Sequence, residues 1–547
     1  MQSTQSYWRL SAVVLASAAC LQGVLPSQFA RGDDFKDFKD KALACEKAHD
    51  WLGACRWYEK LPRKDRNQAD VRDACQRCLR RYYGVRRSQD PVFKDAAAKL
   101  TPSQALDVYD QVLVALGSAY VDPSKTDVNS LFQQGVQELR YDLEEDAFLQ
   151  EYLAGARPLA VSRFKKTLED VQTHRVKSRT DARQEVLALL QAARRADLDV
   201  KPALEVVVGL EFASGACNAL DEYTLFLTPG YYKDVQAILQ GKYVSIGVDL
   251  GVSEDQRIEV VRVYPKSPAE EAGLGLHDRI LRIDRDVNLS PDRAAEKLRG
   301  DAGSAVEIEF QRAGEMMSRT LKVQRRAVYL PSVMEPRLLA LQTDMETIPV
   351  GLIQINHFQE STVQDVKEAL AQLQTAGVKA LILDLRGNPG GAFLAGVQVA
   401  ELFLNEGVIV YSESPLDDFN KPFKVEAKNP VQIPVVILVN RDTASAAEVV
   451  AGALKDHRQG NTLIVGQTTF GKGSIQGVIP LDKAPLDKIP GGIRITVAKL
   501  YSPAKHLPYT GRGVTPDILV EQDGDAIMGA GVQAVMQLLK TNGMMMH

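Results

Sequence analysis

The 547-residue chain is long enough for roughly three or four domains of about 150 residues each. Hydrophobic residues make up 45% and charged residues 25%, enough for several ordinary cores. A net charge of -4 leaves no overall basic footprint, so nucleic acid is not an expected partner.

The N-terminus carries one basic residue, Arg9, followed by the apolar run LSAVVLASAACL with small side chains near its end. A spanning helix needs about 20 apolar residues, so this shorter run reads as a secretory leader over residues 1–30. Cleavage is expected after Ala18 or Ala19. The alternatives are an uncleaved anchor or a lipid on Cys20, either of which would attach the chain to a membrane. The protein is therefore expected to be exported, periplasmic or associated with the cell envelope.

Four of the six cysteines cluster at Cys45, Cys55, Cys75 and Cys78, while Cys217 stands alone. The spacing from Cys45 to Cys55 is wrong for a zinc pair, and Leu79 rather than His follows Cys78, which argues against haem attachment. Buried thiols or disulfides are the expectation, with the pairing open. Residues 31–215 place apolar side chains at three- and four-residue intervals and predict helices. ALACEKAHDWLGACRWYEKL and ADVRDACQRCLRRYYG resemble one tetratricopeptide-like hairpin, with Trp51, Ala54, Trp57 and Tyr58 on its stripe. One unit does not make a repeat array. The helical region is a candidate surface for a protein partner.

From Tyr243 the period changes. YVSIGVDLGV, IEVVRVYP, DRILRIDRDV and AVEIEFQR read as short strands, with short helices at SPAEEAG and PDRAAEKLRG. Residues 243–325 thus predict a small β-rich domain. From about 328, strands and helices alternate. KALILDLRG, PVVILVN and TLIVG are apolar runs of the kind buried in a mostly parallel sheet, separated by helical segments. After Gly473 the chain turns to strand again.

VGQTTFGKGS, residues 465–474, nearly spells a phosphate-binding loop. Gly473 stands where such a loop needs Ser or Thr, and the following SIQGVIPL is extended rather than helical, so nucleotide binding is not expected. Lys472 reads better as a base. Burial between apolar strands disfavours an ammonium, and an amine so tuned takes a proton from a hydroxyl near neutral pH. Ser445 is the matching nucleophile. It follows an apolar strand at the start of a helix, where backbone N–H groups stabilise an oxyanion. The competing reading of Ser445 is a plain helix cap. LDLRGNPGGAF (383–393) ends a strand in glycines that let backbone approach a ligand.

Taken together, LRGNPGG, TASAAE, FGKGSIQ and GRGVTPDI resemble the carboxyl-terminal processing peptidases, or tail-specific proteases, from about residue 219 to 540. The resemblance implies a multidomain α+β protein: a helical region, a PDZ-like domain over 243–325, and an α/β protease core over 216–242 and 326–547. It implies Ser445 as nucleophile, Lys472 as base, Gln476 orienting the lysine, and an oxyanion hole from the N–H groups of Ala446 and Gly391 or Gly390. No cofactor or metal is implied. The PDZ-like segment would capture polypeptide substrates by their C-terminal ends, adding them as a strand, with the carboxylate on Ser245, Ile246, Gly247 and Val248. Two departures stand out: Ala447 replaces the last Ser of the nucleophile turn, and Glu222 in LDEYTLFLTP replaces a usual Pro. Two other readings compete with it. One is a catalytically inactive scaffold. The other is a Ser–His–Asp hydrolase using His357 or His506, although Ser445 lacks the Gly-x-Ser-x-Gly elbow.

Overall fold

The computed structural model describes residues 11–12 and 34–543 apart from short internal stretches, of which 482–490 is the longest. The leader reading and Cys20 lie outside the described residues, except that Ser11–Ala12 runs antiparallel to the strand Ser474–Pro480. Among the described residues no helix is long and apolar enough to cross a membrane.

Residues 34–218 form a run of helices, as their periodicity predicts. Trp51–Glu59 packs on Ala69–Gln89, burying Trp51, Ala54 and Tyr58, but ALACEKAHDWLGACRWYEKL, expected as one arm of a hairpin, breaks at His49 (φ 56°) into Asp34–Lys47 and Trp51–Glu59. Trp57 stays half-buried, with the Lys41 and Lys60 ammoniums 4.8 and 4.1 Å from its ring centroid. Pro102–Ala119 starts on a capping box between Thr101 and Gln104. It packs with Val128–Asp142 against Pro202–Asn218. Small residues let these helices cross closely. A Cβ on Gly215 would lie 2.5 Å from Gly135 Cα.

YVSIGVDLGV, expected as one strand, splits in two. Lys242–Ser245 pairs antiparallel with Arg326–Tyr329 in a two-stranded connector. Val248–Val252 instead forms the edge of a separate sheet, followed in order by Ile258–Val263, Arg279–Ile283, Ala305–Gln311 and Ser318–Gln324. The break falls at Gly247, whose φ of 83° favours glycine and where a Cβ would lie 2.4 Å from Ser267 Cβ. This sheet closes over its own core, including Ile246, Val260, Ile283 and Ile308.

The remaining chain builds two sheets. The first runs in the order Arg337–Gln342, Thr347–Gln354, Ala380–Asp384, Val435–Val439, Thr462–Gly466, Ile518–Leu519. All its pairs are parallel except the first. Ala380–Asp384 and Val435–Val439 are buried at every position, as their unbroken apolar runs require. The second sheet is antiparallel. It pairs Ser474–Pro480 with Gly492–Tyr501, which also takes Val408–Glu413 and Leu225–Leu227. Helices Phe393–Glu401 and Ala446–His457 pack on each other and against Val408–Glu413, while Asp525–Thr541 covers strands of the parallel sheet. Ile437, fully buried between two parallel neighbours, tests this arrangement. Ile437→Ala is expected to lower unfolding free energy by about 2–5 kcal/mol in chemical denaturation.

Candidate active site

The central strand Val435–Val439 delivers the chain to a turn pinned on all sides. Asn440 Oδ1 accepts the Gly387 N–H at 2.9 Å, and Thr443 Oγ1 donates to Leu385 O at 2.8 Å. The Ala444 N–H donates to Asn388 O at 2.9 Å. Ser445 follows with φ 56° and ψ -118°. A non-glycine residue held there costs about 1–3 kcal/mol and persists only where its surroundings overdetermine it. Here the Ser445 N–H donates to Glu448 Oε2 at 2.8 Å. The Ser445 side chain is buried, and its Oγ has no hydrogen-bond partner. The plain helix-cap reading therefore fails, because the hydroxyl caps nothing.

Glu448 also organises the lysine turn. Its Oε2 accepts the Lys472 N–H at 2.8 Å. Its Oε1 accepts the Gly471 N–H at 2.7 Å and the Thr469 hydroxyl at 2.5 Å. Ser445 N and Lys472 N thus lie on one oxygen and no more than twice 2.8 Å apart. A further bond joins the turns, from Phe470 N–H to Thr443 O at 2.9 Å. Burial pushes the Glu448 carboxyl above its ordinary range, and these hydrogen bonds oppose that rise.

Lys472 is buried, and its Nζ lies 4.6 Å from the ring centroid of Tyr223. Burial, then the charges of Glu222 and Asp221, push the Tyr223 hydroxyl well above its usual value. The ring stays neutral and offers its face to the Lys472 Nζ. Gln476 is fully buried, but the expected hydrogen bond to the lysine is not formed. Its Nε2 donates to Ser474 Oγ at 2.9 Å and Thr496 Oγ1 at 3.3 Å, and its Oε1 has no partner.

The glycine turn meets Ser445 directly. A Cβ on Gly390 would lie 2.7 Å from Ser445 Cβ and 3.1 Å from Ala446 N. The Gly390 N–H is already given to Asn388 Oδ1 at 2.9 Å, which leaves Gly391 of the two candidates. Among the described residues, no hydrogen bond takes up the N–H of Gly391 or Ala446. Phe358 holds this turn, donating to Gly390 O and accepting from Ala392 N–H, both at 2.8 Å.

The histidines lie elsewhere. His357 Nε2 pairs with Gln359 Oε1 at 2.8 Å, and His506 packs between the rings of Tyr411 and Tyr501. Neither bonds Ser445, whose hydroxyl has no partner. On the small β domain, the edge strand Val248–Val252 lies beside helix Pro291–Leu298. Of its expected carboxylate donors, the Gly247 N–H is turned inward to Ser245 Oγ at 3.0 Å. The charge of the edge residue Asp249 reaches His357, which precedes Phe358 in the segment that holds the glycine turn.

Sequence reasoning missed Glu448 and Tyr223. Glu448 had a signal, since Ser-x-x-Glu before a helix is a capping pattern. Nothing local marks Tyr223 as a partner of the lysine.

The chain matches the model of peptidase family S41 over residues 349–520 and that of the PDZ domain over 259–312. It is 36% identical to a carboxyl-terminal-processing protease of Synechocystis sp., over 55% of this chain and 69% of that one. It is 34% identical to a carboxyl-terminal-processing protease of Picosynechococcus sp., over 58% and 76%. A solved photosystem II D1 C-terminal processing protease aligns with 77% of this chain and 96% of its own at 25% identity and a TM-score of 0.40.

Glu448→Gln keeps the size of the side chain but turns an NH2 toward two donors. It is expected to cost about 2–6 kcal/mol in chemical denaturation, at about 1–3 kcal/mol per unsatisfied group.

Proposed function

The chain belongs to the carboxyl-terminal-processing proteases of peptidase family S41, and on that premise we propose that it cleaves polypeptides with a Ser445–Lys472 dyad. It is a serine-type peptidase with a PDZ domain suited to binding peptide. The observation that carries the dyad is the shared Glu448 oxygen, which seats the nucleophile turn and the lysine turn side by side.

A substrate chain docks by its C-terminal end along the edge strand Val248–Val252 and reaches the glycine turn. Lys472, as the neutral amine that its burial favours, turns from the Tyr223 face toward Ser445 and accepts the hydroxyl proton. Ser445 Oγ attacks the scissile carbonyl carbon. The N–H groups of Ala446 and Gly391 take the developing oxyanion. The lysine ammonium returns its proton to the leaving amine as the C–N bond breaks, leaving an acyl-enzyme on Ser445. Water, deprotonated by the same amine, attacks the ester and restores the serine. The unpartnered Oε1 of Gln476 is an acceptor for the ammonium once it leaves Tyr223. The leader sequence supports exported proteins as the substrates.

The test is cleavage of a protein bearing an unstructured apolar C-terminal tail. Ser445→Ala and Lys472→Ala are each expected to lower turnover by about 10³-fold or more, since members of one catalytic unit fail together. Tail binding without cleavage by the unaltered chain would favour a scaffold instead.

A further inference from the structure

The clustered cysteines take no part in this chemistry, yet three helices bring them together. Cys55, on Trp51–Glu59, is 3% exposed, and its Sγ lies 3.6 Å from the carbonyl oxygen of Cys75 on Ala69–Gln89. Cys55 and Cys78 share one buried core, against which Cys45 and Cys75 pack. Cys45, on Asp34–Lys47, completes the group beside Asp50 and Cys78. All four are free thiols here. Among the described residues no group of three His, Cys, Asp or Glu side chains is arranged to hold a metal ion, so the cluster is not built as a metal cage.

We propose that Cys55 and Cys75 are a disulfide-forming pair that cross-links the two helices of the N-terminal hairpin. Contact and exposure together select the pair: Cys45 is also partly exposed, but it is the Cys75 backbone that the Cys55 Sγ reaches. Cys78 is fully buried, whereas Cys75 is partly exposed and so open to an external oxidant. Cys55 is too buried to meet an external oxidant itself, so it takes the second step. The oxidant is a small-molecule or protein disulfide. The Cys75 thiolate attacks one of its sulfurs, forming a mixed disulfide and expelling one thiolate. Cys55 then loses its proton and attacks the Cys75 sulfur, expelling the second thiolate. Two cysteine thiols are oxidised and one external disulfide is reduced to two thiols.

The bond would close a ring that contains Arg66. That guanidinium lies 5.6 Å from the ring centroid of Phe470, two residues before Lys472, and its charge bears on Asp442 in the nucleophile turn. Cross-linking therefore restrains the segment through which the helical region touches the catalytic loops. The pairing itself does not depend on the Ser–Lys reading.

Trypsin separates the candidates, because Cys45, Cys55, Cys75 and Cys78 fall in different peptides: ALACEK, AHDWLGACR, DACQR and CLR. The full chain is equilibrated with oxidised glutathione, digested without reduction and mapped by mass spectrometry. The expected product is AHDWLGACR linked to DACQR. AHDWLGACR linked to CLR or ALACEK, or left unlinked, would overturn the proposal. A thermal melt adds a second readout. Oxidation is expected to raise the melting temperature of the unaltered chain but not of Cys75→Ser, and a rise that survives in Cys75→Ser would contradict the pairing.

Discussion

One buried carboxylate, Glu448, must accept four donors from two loops that are distant in sequence, and the geometry of the proposed Ser445–Lys472 site hangs on it. The Ser445 turn and the Lys472 turn arrive on neighbouring parallel strands, Val435–Val439 and Thr462–Gly466. Strand pairing brings the loops to the same end of the sheet, but it does not set their fine spacing. Glu448 does, because two of its donors share one oxygen and the other two share the second. The arrangement also offsets strain. Ser445 holds a backbone conformation costing about 1–3 kcal/mol, and the bond to its N–H is charge-assisted and out of water.

The same economy of contacts extends outward. The segment around Phe358 holds the glycine turn against Ser445, and its neighbour His357 faces the edge strand of the PDZ domain through Asp249. Burial first of all lowers the basicity of His357, against the opposing charges of Asp249 and Asp365. On the other side, the helical region leans on the segment that carries Tyr223. Gln76 reaches Glu222 at 3.3 Å, and Arg86 donates to the Tyr231 hydroxyl at 2.8 Å. Glu222, standing where the family usually has Pro, is thus a contact of the helical region in this chain.

Much of this was legible in the sequence, for physical reasons. Unbroken apolar runs such as PVVILVN can only be buried strands here, and Gly-Lys-Gly followed by β-branched residues excludes a phosphate loop. Short-range order in the motifs was therefore enough to place Ser445, Lys472 and the glycine turn. What stayed hidden were choices made by distant contacts. Ser-x-x-Glu reads as a cap in any chain, and only the fold shows Glu448 gripping the lysine turn as well. Only the Asn388 amide oxygen distinguishes Gly390 from Gly391, by occupying the former. The lysine's place over Tyr223 joins residues hundreds of positions apart. The split of YVSIGVDLGV came from a positive φ at Gly247, which β-branched neighbours mask in a pattern of period two.

The most direct measurement is the location of the covalent intermediate. Cleavage of a tailed substrate would be quenched with acid in the first turnovers, and the acylated peptide of the enzyme identified by mass mapping. The substrate's acyl group on Ser445 is the predicted result. An acyl group on any other residue, or active cleavage with no acylated peptide under conditions that trap a control serine acyl-enzyme, would contradict the account.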